Sequence, residues 1–271
     1  ALISILLPLS LVERFGWNNL WIILTIGFGL ALAVCFVILE QHSAFPLFDI
    51  KLFKNRQFSM SNLAALLNYM AQFTIILLIP FYLQRLRGLP PAEAGLLYFP
   101  MPLTTMVLAP VSGILSDRMD SRYLSAAGMA VMAVGMGLLS NLQIDSTNLF
   151  LITGLIITGL GIGLFQTPNN SAIMGSVPGN RRGIASGMLA TMRNMGMVLG
   201  VAISGALFSA SNHWFVNWLQ KKGLSGAQLE QTAFINALGI TYTVGAGLAL
   251  IAALISLAKG SSNHQRQFGR G

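Results

Sequence analysis

Residues 184–210 read IASGMLATMRNMGMVLGVAISGALFSA, and Arg193 is the single charged side chain in the whole stretch. Crossing the ~30 Å hydrocarbon layer of a bilayer takes a helix of about 20 residues, and helices buried in soluble cores are seldom so long or so free of charge. Six further stretches of the same kind lie at residues 20–39, 58–83, 94–116, 123–142, 149–172 and 234–258, and none of them contains Asp, Glu, Lys or Arg. The chain therefore reads as an all-α polytopic membrane protein. Arg193 is its most expensive residue, because an Arg at mid-span costs about 2.5–3.5 kcal/mol on insertion scales and must be solvated by a cavity or satisfied by other groups.

Composition agrees. Charged residues make up 9% of the chain and apolar residues 54%, against about 25% charged in ordinary soluble domains. Soluble globular folds, disordered chains and nucleic-acid binders fit poorly. The net charge of +8 is not a basic patch, since Lys and Arg sit almost wholly in the connections. Placing the connection 41–57 on the cytoplasmic side puts Lys51, Lys54, Arg56, Arg118, Arg122, Arg181, Arg182, Lys259, Arg266 and Arg270 there, against Arg14, Arg85, Arg87, Lys221 and Lys222 opposite. That asymmetry is the positive-inside pattern, with a cytoplasmic tail from residue 259. Three His far apart in sequence and a lone Cys35 inside an apolar run build neither a disulfide framework nor a metal site. No metal and no cofactor is expected. The chain opens on Ala1, and residues 1–12 resemble the end of an apolar helix with no secretory signal before it. The expectation is a piece of a longer protein.

Residues 117–122 and 143–148 are minimal connections, so their flanking spans are antiparallel neighbours in a compact bundle. The longest connection, 211–233, holds Trp214 and Trp218, which suit an interfacial anchor or a short surface helix. Gly159 and Gly163, like Gly196 and Gly200, are four residues apart and share a helix face. Two readings are open: tight static packing, or smooth faces on which helices slide. Pro100, Pro102 and Pro110 in the stretch 94–116, and Pro168 in 149–172, free carbonyls and bend helices.

With no Asp, Glu, Lys or His in the spans, no carboxylate pair, His-based metal site or activated nucleophile can be assembled within the membrane, and an enzyme is not expected. The spans contain amides and phenols instead. Asn68 and Gln72 are four apart on one face; Gln166 and Asn170 repeat that spacing, with Asn169 beside them; Tyr98 and Tyr242 lie in other spans. An amide facing lipid leaves donors and acceptors unmet, so these faces turn inward. They either glue the bundle by interhelical hydrogen bonds or line a solute cavity. Arg193, with Ser186, Ala190, Gly200 and Ser204 near its face, either bonds neighbouring carbonyls or attracts an anion or takes part in proton coupling.

The connection Gly113-Ile-Leu-Ser-Asp117-Arg118-Met-Asp120-Ser-Arg122 resembles the cytoplasmic signature of the major facilitator superfamily, Gly-x-Leu-x-Asp-Arg-x-Gly-x-Arg, with Asp120 standing where the second Gly is usual. Residues 46–58 (PLFDIKLFKNRQF), 82–88 (YLQRLRG), 163–170 (GLFQTPNN) and 193–202 (RNMGMVLGVA) look like the fourteen-helix drug:proton antiporters of the EmrB/QacA type. The resemblance implies that residues 1–40 are linker transmembrane helices, the first truncated; 41–57 a cytoplasmic connection; 58–258 the carboxyl-terminal six-helix bundle; and 259–271 a tail. It implies export of small hydrophobic or cationic solutes across the cell membrane, driven by protons through alternating access, with the coupling acids mostly in an amino-terminal half and a periplasmic adaptor protein as a conceivable partner. A cavity of Asn68, Gln72, Tyr98, Gln166, Asn169, Asn170 and Arg193 and a cytoplasmic gate of Gly113, Asp117, Arg118 and Arg122 follow from it. Carriers of another solute, such as an organic anion, and a non-transporting sensor or assembly protein are the alternatives.

Overall fold

The computed structural model describes residues 50–259; the expected linker helices and the tail beyond 259 lie outside the described residues. The membrane-length helices belong to the unit that begins at Phe53. A 3-10 turn, Ile50–Lys54, leads to Asn55, whose side-chain oxygen accepts from Gln57 N at 2.9 Å and Phe58 N at 3.3 Å. This cap meets two of the amides left unpaired where a helix starts. The helices are α1 (Arg56–Pro80), prolonged by a π-helical segment Phe81–Leu86; α2 (Pro91–Tyr98); α3 (Pro100–Arg118); α4 (Ser121–Leu139); α5 (Asn148–Gly175); α6 (Arg182–Lys221) and α7 (Gly226–Ala258). No strand occurs among the described residues. Six spans long and apolar enough to cross a membrane result, with α2 and α3 forming one of them. The all-α membrane class read from hydropathy is the class observed.

Local chemistry explains the breaks. Pro100 and Pro102 lack the N–H that would bond one turn back, and the helix passes from α2 to α3 there. Thr104 and Thr105 hydroxyls then donate to Pro100 O at 2.6 Å and Met101 O at 3.0 Å, occupying carbonyls next to the break. Pro110 and Pro168 are accommodated inside α3 and α5. The connection expected over 211–233 shrinks to four residues, because α6 continues to Lys221 and α7 begins at Gly226. Residues 211–221 contain neither Gly nor Pro, so nothing local stops the helix. It ends at Gly223, φ 90°, where Leu224 N–H reaches Leu219 O at 3.2 Å and Gly223 N–H reaches Gln220 O at 3.0 Å. That pairing is a Schellman cap, whose left-handed position suits Gly.

Lipid tails are as apolar as Leu, so helices in a bilayer associate through close packing rather than water exclusion. Glycine makes that packing possible here. Between α4 and α5, a Cβ on Gly128 would fall 2.7 Å from Phe165 N, and one on Gly161 would fall 2.6 Å from Gly128 O. Gly196 and Gly200 of α6 sit over Leu66 O and Met70 O of α1, each 2.6 Å from where a Cβ would be. Gly163 faces α3, at 2.9 Å from Leu108 Cβ by the same measure. A hydroxyl pair, Thr74 and Ser204 at 2.6 Å, joins α1 to α6, and Tyr82 donates to Gln143 O at 2.6 Å near the opposite end from Lys259. α1, α4, α5 and α7 bury much of their surface in this bundle, whereas few residues in the spans of α3 and α6 are buried.

Replacing Gly161 by Ala puts a methyl group against α4 backbone, which cannot yield as a flexible side chain would. We expect a loss of about 2 kcal/mol, typical of overpacking, read as a lowered melting temperature of the protein in detergent. Gly137→Ala, which meets nothing within 4 Å, should leave the melting temperature unchanged or slightly raised, since Ala favours the helix.

Candidate functional site

Asn68 and Gln72 share the inner face of α1. Asn68 is fully buried, and neither its amide nitrogen nor its oxygen has a hydrogen-bond partner; the Gln72 oxygen is also buried and unpartnered. An unmet buried amide group costs about 1–3 kcal/mol. On α7, Tyr242 is fully buried with its hydroxyl unpartnered. The phenols of Tyr98 and Tyr82 are close enough to act on it electrostatically. Tyr98 itself is half-buried and packs against the core.

The three α5 amides part company. Gln166 is half-buried and Asn170 exposed. Asn169 is buried; its Nδ2 donates to Ser61 O of α1 at 3.0 Å, and its Oδ1 accepts from Lys259 Nζ at 3.2 Å. Its hydrogen-bonding capacity is thus used inside the bundle. Two more amides clamp the same end: Asn55 Nδ2 donates to Ser176 O at 2.9 Å and Gln57 Nε2 to Ala172 O at 3.4 Å.

Arg193 is exposed on α6, and its guanidinium lies close enough to the Tyr69 phenol of α1 to act on it electrostatically. Sequence reasoning missed Tyr69. The close crossing at Gly196, whose Cβ position lies 2.8 Å from Tyr69 Cβ, brings the two helices together three residues from Arg193. That pairing of registers is a tertiary fact with no signal in either helix alone.

In the signature connection, Gly113 lies on α3, where a Cβ would meet Thr167 Cγ2 of α5 at 3.5 Å, an ordinary contact. Asp117 falls in the last turn of α3, and its side chain lies outside the described residues. Arg118 is exposed at the end of α3, where a cation suits the negative end of the helix dipole. Asp120 has φ −64° and ψ 124° and caps α4, accepting from Arg122 N at 2.9 Å. Since that backbone needs no positive φ, Asp serves where the family signature has Gly. Arg122 turns to its neighbour: Nη2 donates to Tyr123 Oη at 2.6 Å and the guanidinium lies 4.4 Å from the ring centre.

Lys259, counted from sequence as a tail residue, is instead 1% exposed at the end of α7. Burial pushes its pKa down to about 7, and the Asp120 carboxylate opposes that shift. At the other end of α6, Trp214 and Trp218 are exposed and stacked with centroids 6.0 Å apart, and Lys222 Nζ sits 3.7 Å over the Trp218 ring. No group of three His, Cys, Asp or Glu placed to hold a metal occurs among the described residues.

The arrangement offers unpaired amides and phenols on α1 and α7 and an Arg on the exposed side of α6, and it can bind polar groups of a solute. The model of the Major Facilitator Superfamily matches residues 1–201 and again 61–266. The chain is 32% identical to the riboflavin transporter RibZ of Clostridioides difficile, over 77% of this chain and 44% of that protein. It is 40% identical to the transporter YebQ of Escherichia coli, over 58% of this chain and 35% of that protein. It is 30% identical to the multidrug transporter protein MdtP of Bacillus subtilis, over 78% of this chain and 39% of that protein. The chain thus spans less than half the length of these relatives. It belongs to the major facilitator superfamily, a family of membrane transporters and not of enzymes.

Proposed function

We propose that this chain is the carboxyl-terminal half of a proton-driven exporter of hydrophobic or cationic compounds, with α1–α7 forming one wall of a central cavity and residues 1–40 linker helices. The observation that carries it is Asn68, fully buried in α1 with both amide atoms unmet. A bundle held only by its own hydrogen bonds has no use for such a residue, whereas a cavity wall does. Gln72, Tyr98, Tyr242 and Gln166 extend that wall, and the multidrug relatives support the solute class. The positive-inside count supports a cell-membrane protein with the Lys259 end cytoplasmic.

The exposed face of α6 supports a second half. Arg193 and its neighbour Asn194 are both exposed there, and a charged group on a lipid-facing surface is expensive. That face therefore meets another protein surface or an aqueous cavity. The Tyr69–Arg193 pair also supports a second reading, in which the cation attracts an organic anion; the riboflavin relative belongs to this side of the argument.

In the full-length protein reconstituted with an imposed proton gradient, Asn68→Leu combined with Gln72→Leu should cut export of a cationic dye by about tenfold, the scale of one lost 1.4 kcal/mol interaction, without lowering the melting temperature. Export at the unsubstituted rate would remove these amides from the cavity.

Arg193→Leu separates the two solute readings in the same vesicles. Under the anion reading, transport of an anionic solute falls while that of the dye does not. Loss of both at unchanged melting temperature assigns Arg193 to the contact with the other half. Unchanged transport with an altered melting temperature makes it structural.

A further inference from the structure

A buried ammonium group needs three acceptors, and Lys259 has two. Its N–H caps α7 by bonding Ile255 O at 3.2 Å. Its Nζ donates to Ser125 Oγ of α4 at 3.0 Å and Asn169 Oδ1 of α5 at 3.2 Å. Asn169 passes the link on to Ser61 O of α1 at 3.0 Å. One amine thus joins α1, α4, α5 and α7 at the end where α3 turns into α4. A neutral amine has two N–H groups and one lone pair. Its two N–H groups match these two acceptors. An ammonium would leave its third N–H unmet in a site closed to water.

Among the described residues, the charged groups around it are few. From α4, the Asp120 carboxylate acts on Lys259 across space and favours its protonated form. Arg122, also on α4, directs its Nη2 to Tyr123. α5 and α1 present Asn169 and Ser61, and α7 presents Ser256, none of which titrates.

We propose that Lys259 is a proton-binding site that latches this end of the bundle: the amine is neutral while α7 packs against α4 and α5, and taking up a proton releases the junction. The direction follows from linkage. Packed, the amine has its pKa lowered to about 7 by burial, with Asp120 raising it in opposition; exposed to water, a lysine titrates near 10.4. Between those values the released form binds more protons than the packed one, so packing strengthens as pH rises and is weakest below about pH 7. That release of this end is an access step rests on the transporter reading; the latch itself does not.

The test is hydrogen exchange by mass spectrometry on the full-length protein in lipid nanodiscs, without solute, at pH values from about 6 to about 9 and corrected for the intrinsic rate. Protection at the start of α4 and the end of α7 should grow with pH above about 7, by up to about tenfold per unit, the limit for one linked proton. Lys259→Met should remove that dependence. Asp120→Asn keeps an effective helix cap but loses the charge that favours protonation, so the onset should move to lower pH; this variant tests the latch even if Lys259→Met fails to fold. A flat profile in the unsubstituted protein, a Lys259→Met profile like that of the unsubstituted protein, or an unmoved onset in Asp120→Asn would each overturn the proposal. A protein that latches yet exports no dye refutes only the transport reading, and one that exports with a flat profile refutes only the latch.

Discussion

In a bilayer, backbone N–H and C=O groups have no water to turn to, and helices gain nothing by hiding apolar faces from one another. The first condition makes every described span a helix; the second makes the bundle depend on how closely two backbones can approach. Gly128 and Gly161 bring α4 and α5 into contact, and Gly196 and Gly200 lay α6 on α1. Helix crossings built on backbone contact leave little freedom of register. The side chains beside them are placed accordingly, including Arg193 next to Tyr69.

Polar groups then fall into two kinds. Some are consumed in holding the bundle together: Asn169 between Ser61 and Lys259, Thr74 with Ser204, Asn55 with Ser176. Others are buried yet unmet, namely Asn68, Gln72 Oε1 and the Tyr242 hydroxyl. The second kind is a standing cost to a self-contained bundle. Composition treats the two kinds alike, since both are amides and hydroxyls in apolar helices. The glycine faces show the same ambiguity from the other side. Their close contacts account for tight packing, and whether those faces also slide is a matter of how the half moves.

The exposed spans of α3 and α6 give the unit an unequal surface. An ordinary lipid-facing surface would be uniformly apolar, but α6 puts Arg193 and Asn194 outside. At the Lys259 end, one buried amine joins α7 to α4 and α5 and, through Asn169, to α1, beside the Asn55 and Gln57 clamps.

Hydropathy, summed over some 20 residues, was enough to establish the membrane class, the all-helical fold and the positions of the six described spans, because the cost of placing a residue in hydrocarbon depends mainly on that residue. The signature at 113–122 and the stretches around it were enough to place the family. Tertiary structure alone decided the rest. Asn169 became a structural link and Asn68 an unmet amide because of what the neighbouring helices present, which no helix encodes by itself. Lys259, by composition an ordinary tail lysine, is buried because α4 and α5 close over the end of α7. α6 ran on to Lys221 until a glycine allowed its cap, and Asp120 took the place of a glycine because the turn there needed a helix cap and no positive φ. Burial and hydrogen bonding belong to the packed assembly of helices, whereas the preference for hydrocarbon over water belongs to each residue in the chain.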